Sequence, residues 1–238
     1  MAVEAARKYD AIFLDAQGTL LHARPSIPAI YASVCRRLGG NATEAQVSAA
    51  VREQWAEFRT TVDPQSISLE TSDEITKQWW ATFNARIFLR LGMAGRTEDF
   101  LEGLWEAFGR PENWELYPEV EDVLAELRKR GYRLGVISNW DSRLVTLCER
   151  LGLTAYADFI LASAATGMEK PDRRIFEIAL SRAAVSPKRA VHVGDDYQAD
   201  VLGARGAGMD AILIDRDGRT PMPVQTIHSL RELLDILP

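Results

Sequence analysis

The sequence predicts an α/β fold: a doubly wound parallel sheet with a large helical domain inserted into it. Three observations carry that prediction. A short apolar run, Ala11-Ile12-Phe13-Leu14, has no helical period and stops at Asp15, as a strand buried on both faces does. From residue 22 to about 114 every periodic stretch has the spacing of a helix and none reads as a convincing strand. After Tyr117-Pro118, strand-like and helix-like stretches alternate to the end, which implies parallel strands joined by right-handed crossovers.

Taken in order, the first strand is followed by a polar link, His22-Ala23-Arg24-Pro25. Ser26 can cap a helix whose first turn tolerates Pro28. Ile30, Tyr31, Val34 and Leu38 continue it at the 3.6-residue period, and Gly39-Gly40 stops it. Thr43 and Gln46 form a capping box for a second helix running to about Arg59. Thr60–Ser68 reads as a loop. Thr71 with Glu74 is expected to cap a third, long helix through about Leu91, and Thr97 a fourth, ending near Gly109 before Pro111. This block holds five of the six tryptophans: Trp55, Trp79, Trp80, Trp105 and Trp114. Most are expected to fill the core of a small bundle, which needs large apolar residues, with one or two lining a ligand pocket.

In the second half, Val120, Val123, Leu124 and Leu127 mark a helix that closes on Lys129-Arg130-Gly131, with basic residues facing the dipole and glycine as the stop. Arg133–Ile137 is a strand, Ser142–Leu151 a helix, and Phe159–Leu161 a short strand. A helix from Asp172 to about Ala184, a strand Ala190–Val193, a helix from about Gln198 to Ala207 and a strand Ala211–Ile214 follow. The last helix covers roughly Ser229–Leu237.

Of the 238 residues, 47% are hydrophobic and 26% charged, ordinary for a soluble globular chain. The net charge of −6 argues against a general nucleic-acid binder. Cys35 and Cys148 lie too far apart in sequence to suggest a disulfide framework or a zinc site, and a thiol-reducing cytoplasm fits them. The N-terminus lacks the apolar core of a signal peptide, and no stretch reaches membrane-spanning length.

The chemistry begins with Asp15, a carboxylate at the carboxyl end of a buried strand, where open α/β sheets place their ligands. Taken alone, it is either the cap of the next turn or a nucleophile. Gly194-Asp195-Asp196, with Asp200 beyond, is either a set of first-turn charges or part of a metal site, since Mg²⁺ takes a few carboxylates and keeps its waters. Ser138 and Asn139 directly follow a strand, where a hydroxyl and exposed backbone N–H groups can hold phosphate oxygens. Lys170 is either a solvated loop lysine or a cation that neutralises a bound anion.

Asp15-Ala16-Gln17-Gly18-Thr19, Ser138-Asn139, Lys170-Pro171-Asp172 and Gly194-Asp195-Asp196 occur in the order and at the spacings of four motifs. Together they resemble the haloacid dehalogenase-like (HAD) hydrolase superfamily, in the group with a helical cap inserted after the first motif. The resemblance implies a Rossmann-type core over residues 1–21 and 115–238, a cap over 22–114, and a sheet order of 5-4-1-2-3 with the Asp15 strand central. It implies Asp15 as nucleophile, with Lys170 and Ser138 in catalysis, and Gln17, Gly18, Thr19 and Asn139 against the substrate. It implies a Mg²⁺ held by Asp15, Asp195 and the backbone carbonyl of Gln17, with Asp196 and Asp200 bracing it. The implied partner is a small phosphorylated molecule met by a monomer or homodimer in the cytoplasm, with neither nucleic acid nor membrane involved. Specificity is expected in the cap and at Trp140.

One position departs from the pattern. Phosphatases of this family carry a second Asp two residues after the nucleophile, to protonate the leaving group and then activate water. Here that position is Gln17, whose amide cannot exchange a proton near neutral pH. General acid–base help is worth about 10²–10⁴-fold, so a slow phosphatase is expected. The family's 2-haloacid dehalogenases also lack that acid, because halide leaves without a proton, but they work without metal and lack the Gly194-Asp195-Asp196 type of motif. A dehalogenase-like hydrolase, or a phosphate-binding regulatory module with weak turnover, are the alternatives. His22 is close in sequence, but nothing in the sequence says that it reaches the site.

Overall fold

Ala11–Leu14 (β1) forms a middle strand of a six-stranded parallel sheet in a computed structural model describing residues 7–61, 69–218 and 222–237. All four of its residues are buried, as a strand covered on both faces requires. Arg133–Ser138 (β4) pairs on one side of β1 and Ala190–Gly194 (β6) on the other. Phe159–Ala162 (β5) continues beyond β4; Asp210–Ile214 (β7) and Thr226–Ile227 (β8) continue beyond β6. The expected 5-4-1-2-3 order is therefore present, with β8 added at one edge. Two residues are too few for a period to show, so β8 left no sequence signal.

Register explains the site's location. Leu14 lies opposite Val136 on one neighbour and Val193 on the other. Because the strands are parallel, the chain leaves all three at the same edge, bringing Asp15, Ser138 and Gly194 together. The two sheet faces are covered separately. Ile12 and Leu14 pack with Val120–Lys129 (α5), Arg143–Arg150 (α6) and Leu233–Ile236 (α10). Ala11 and Phe13 pack with Arg173–Ala183 (α8) and Gly203–Gly206 (α9). Between β5 and α8 runs one short turn of helix, Ser163–Thr166 (α7).

The insertion leaves and re-enters through a two-stranded antiparallel ribbon, Leu21–Ala23 (β2) against Trp114–Leu116 (β3). Sequence reading placed no strand in the block between; among the described residues the ribbon's ends and an isolated bridge from Glu70 to Met168 intrude on it. Ile27–Arg37 (α1), Glu44–Thr61 (α2), Asp73–Arg90 (α3) and Thr97–Phe108 (α4) pack in a ring, each touching two of the others. Ser26 accepts from the Ala29 N–H at 3.1 Å, and Thr43 and Gln46 close the expected box. Two caps differ from expectation. Ser72, not Thr71, caps α3 through the Ile75 N–H, while the Thr71 hydroxyl meets Thr76. Arg96, not Thr97, occupies the cap position of α4 and offers no side-chain bond, because a turn of 3₁₀-helix, Ala94–Arg96, leads straight in. Of the expected loop Thr60–Ser68, Thr60 and Thr61 extend α2; the other seven residues lie outside those described.

The insertion is tied to the sheet near Lys170. The Glu169 N–H donates to the Leu69 carbonyl and the Thr71 N–H to the Gly167 carbonyl. Asp73, at the start of α3, accepts from both the N–H and the hydroxyl of Ser142, at 2.7 and 2.5 Å. No helix among the described residues is long and apolar enough to cross a membrane.

Candidate active site

Lys170 is the hub. The residue is 3% exposed, and its ammonium donates to Asp15 Oδ1 at 2.6 Å, Asp200 Oδ1 at 2.6 Å and the Ile137 carbonyl at 2.9 Å. Three acceptors satisfy its three protons, leaving no donor idle in the low-dielectric interior. Asn139 holds the lysine's backbone with both ends of its amide: Oδ1 accepts from the Lys170 N–H and Nδ2 donates to the Lys170 carbonyl, both at 2.8 Å. The Asn139 side chain, expected to face the substrate, thus positions the lysine.

Asp15 leaves β1 with its N–H bonded to the Val193 carbonyl at 2.9 Å, and its carboxylate also accepts from the Ser138 hydroxyl. Two glycines make room for the acids around it. A Cβ on Gly18, whose φ is +82°, would overlap the Asp195 carboxylate, and one on Gly194 would overlap that of Asp200. Asp15, Asp195 and Asp200 each offer an oxygen, and these all lie within 4.8 Å of one another. Asp200, expected to sit further out, is instead fully buried under the lysine and against His192 Nε2 at 2.9 Å. Asp196 meets the cluster through its backbone, whose N–H donates to Asp200 Oδ2 at 3.0 Å, while its side chain is used elsewhere. It caps the π-helical turn Tyr197–Leu202 through the Gln198 and Ala199 N–H groups, which explains why the predicted helix begins a residue early.

The charges do not balance. One ammonium pairs with two carboxylates, and a third, Asp195, lies within 4.8 Å of those two. Burial pushes Asp200 up, but the lysine and His192 outweigh it and hold this acid far below the usual range. Burial likewise opposes the charge on Lys170, and Asp15 and Asp200 outweigh it, so the lysine stays protonated. Burial raises Asp15 against the pull of Lys170 and Ser138. Asp195 is pushed up to about 8, by desolvation first and then by the charges of Asp15 and Asp200. Its side chain reaches solvent, so repulsion is the part of that shift a cation would relieve. An all-oxygen donor set with surplus negative charge fits a hard divalent ion.

Thr19 is fully buried and its hydroxyl has no partner. A buried hydroxyl is normally bonded, so this one is suited to a ligand oxygen. Gln17 is exposed and, with Asn139 and Trp140, borders a cavity of about 340 Å³ reaching into the insertion. Four of the five tryptophans assigned to the bundle line it: Trp55, Trp80, Trp105 and Trp114. The expectation of one or two was too low, because the rings of α2 and α3 that pack on one another, such as Trp55 against Phe83 at 4.6 Å, also leave one face toward a common gap. His22 is engaged elsewhere, with Glu115 at 3.4 Å and the Tyr117 ring.

A family model for haloacid dehalogenase-like hydrolase matches residues 9–208. The chain belongs to the haloacid dehalogenase-like hydrolases. It is 36% identical over 236 residues to human haloacid dehalogenase-like hydrolase domain-containing protein 3, covering 94% of this chain and 90% of that one. It is 34% identical to the phosphoserine phosphatase of Thermus thermophilus, over 89% and 91% of the two chains. The crystal structure of a HAD phosphatase from Thermococcus onnurineus superposes with a TM-score of 0.64 at 27% identity, over 95% of this chain and 97% of that one. As a HAD hydrolase with phosphatases among its relatives, the protein is a hydrolase.

Sequence reading missed Arg216 in this HAD site. Its guanidinium donates to the carbonyls of Gly18 (3.1 Å) and Thr19 (2.7 Å) and to Glu119 (2.8 Å), and stacks on Tyr117 at 3.5 Å. It braces the turn after Asp15 and lines a cleft with Gly18 and Asp195. Its one signal was position, just past a strand's carboxyl end. His192 was equally hidden, as an alternate residue of a strand read only for its apolar neighbours.

Proposed function

We propose that the protein is a Mg²⁺-dependent, phosphatase-like hydrolase acting on a small phosphorylated molecule through an aspartyl-phosphate, slowed by Gln17. The observation that carries this is the cluster of Asp15, Asp195 and Asp200 around a single buried lysine. Asp15 and Asp195, with the Gln17 backbone carbonyl, would hold the Mg²⁺, which supplies charge neutralisation for a phosphoryl group approaching an anionic nucleophile. Lys170 and Ser138 hold the Asp15 carboxylate in place, and Thr19 offers its unpartnered hydroxyl to a phosphate oxygen. An Asp15 oxygen bonds to phosphorus as the ester P–O bond breaks. The departing oxygen takes its proton from water, because the Gln17 amide has none to give. Water then adds to phosphorus, the Asp15–phosphorus bond breaks, and phosphate leaves with the carboxylate restored.

Calorimetry of Mg²⁺ binding to the parent and to Asp195→Asn tests the metal. Binding by the parent that is strongly weakened in the variant is expected. Equal affinities, or none in either, remove the metal from the proposal. A screen of phosphorylated metabolites and 2-haloacids with and without Mg²⁺ tests the reaction. Metal-independent halide release would favour the dehalogenase-like alternative, which the neutral Gln17 also suits.

A further inference from the structure

The cavity beside Gln17 has a chemical character of its own. It begins at the catalytic loop: the Trp140 ring, next to Asn139, meets the Trp114 ring at 4.8 Å between centroids. Trp140 is fixed there, since its N–H donates to the Ser163 hydroxyl at 3.1 Å and its carbonyl accepts from the Ala164 N–H at 3.1 Å. Beyond it, Trp55, Trp80, Phe83 and Trp105 wall a space within the usual range for a small ligand.

Both cations of the wall, and its Asn84 amide, already have partners. Arg143 is held by Asp141 through two bonds at 2.7 and 2.8 Å, donates to the Trp105 carbonyl, and stacks on the Trp105 ring at 3.6 Å. Lys77 pairs with Glu102 at 3.3 Å. Asn84 accepts from the Tyr31 hydroxyl and donates to the Trp80 carbonyl at 2.7 Å. Glu98 adds a further negative charge to the lining. A carboxylate or second phosphate placed here would have to compete with Asp141 for Arg143 and with Glu102 for Lys77, would lie near Glu98, and would lose its hydration. A neutral apolar group would lose only its contact with water, which favours it.

We infer that the substrate is a phosphate monoester of a neutral, apolar alcohol, aliphatic or aromatic, whose organic part fills this cavity while the phosphate meets Asp15. The inference rests on the phosphatase-like reading above, and the test separates the two. Straight-chain alkyl phosphates from ethyl to hexyl have leaving alcohols of nearly equal acidity, so differences among them report burial rather than chemistry. Their kcat/KM is expected to climb by about fourfold per methylene, the worth of one buried CH₂. Phosphoserine, with its charged backbone groups, should fall below butyl phosphate. In a second arm, neutral 2-naphthol should quench tryptophan fluorescence saturably. Ala81→Trp, which fills the cavity from α3, should abolish that quenching and flatten the series; should this variant not fold, the parent's two readouts decide alone. A flat series, a preference for phosphoserine, or no saturable quenching overturns the inference, even where the phosphatase activity is real. Saturable naphthol binding with no turnover of any phosphate instead removes the phosphatase reading and leaves the cavity's preference standing.

Discussion

At the sheet end of the site, Lys170 touches Asp15, Asp200 and a backbone carbonyl; at the insertion end, Trp80, Trp105 and Trp140 border about 340 Å³ of unfilled space. At the first end the lysine is saturated. Each proton of the lysine is used, and glycines clear the carboxylates to within contact. Such a network tolerates no missing member, because the partner left behind is a buried charge. The second end is built from apolar rings whose contacts are individually small and replaceable. The difference separates two tasks: holding reacting charges in one geometry, and accommodating a group whose shape is variable.

The largest expected effect breaks the saturated end. Lys170→Met removes the cation between Asp15 and Asp200, and urea denaturation should show a loss of about 3–5 kcal/mol. Phosphate-ester turnover should fall by about 10²-fold or more. A loss under about 1 kcal/mol would mean the two acids do not depend on the lysine, and the contrast between the ends would collapse.

Gln17 sits on the border between the two ends, and Gln17→Asp sharpens it by placing a proton carrier there. Hydrolysis of an alkyl phosphate, with its poor leaving group, should rise by up to about 10²-fold. p-Nitrophenyl phosphate should gain less in the phosphorylation step, since its leaving group scarcely needs a proton. Burst kinetics would show whether breakdown of the aspartyl-phosphate limits either. A folded, Mg²⁺-binding variant that hydrolyses no ester better than the parent would refute the proposal that Gln17 slows turnover.

The smallest effect concerns Arg216 and Glu119, which hold the turn after Asp15. Burial pushes Glu119 up, but the Arg216 hydrogen bond and charge outweigh it, and the acid lies below its ordinary range. A folded value below the unfolded one, about 4.3, means that the pair stabilises above that pH and loses its effect as pH falls through the folded value. Glu119→Gln should therefore cost about 1.5 kcal/mol at neutral pH and progressively less in acid. Urea midpoints of both proteins measured at neutral and acidic pH provide the check. A cost that does not shrink in acid would make the contact one of packing alone.

What the sequence determined by itself was local or strictly ordered along the chain. The run Ala11–Leu14, the caps at Ser26 and Thr43, and the stripe Val120–Leu127 depend on near neighbours, and the structure keeps each. Asp15, Ser138, Lys170 and Asp195 were legible because each lies just past a strand end or in a short motif, and parallel strands bring such ends to one edge. Tertiary structure alone decided that Asp200 lies beneath Lys170, that the Asn139 amide grips the lysine's backbone, and that Arg216 reaches back across 197 positions to Thr19. It alone gave the core-packed tryptophans Trp55, Trp80 and Trp114 a face on a gap as well. The physical reason is range. Periodicity and capping act over three or four residues, whereas ion pairs and cavities depend on which distant side chains the packing of whole elements brings within a few ångströms.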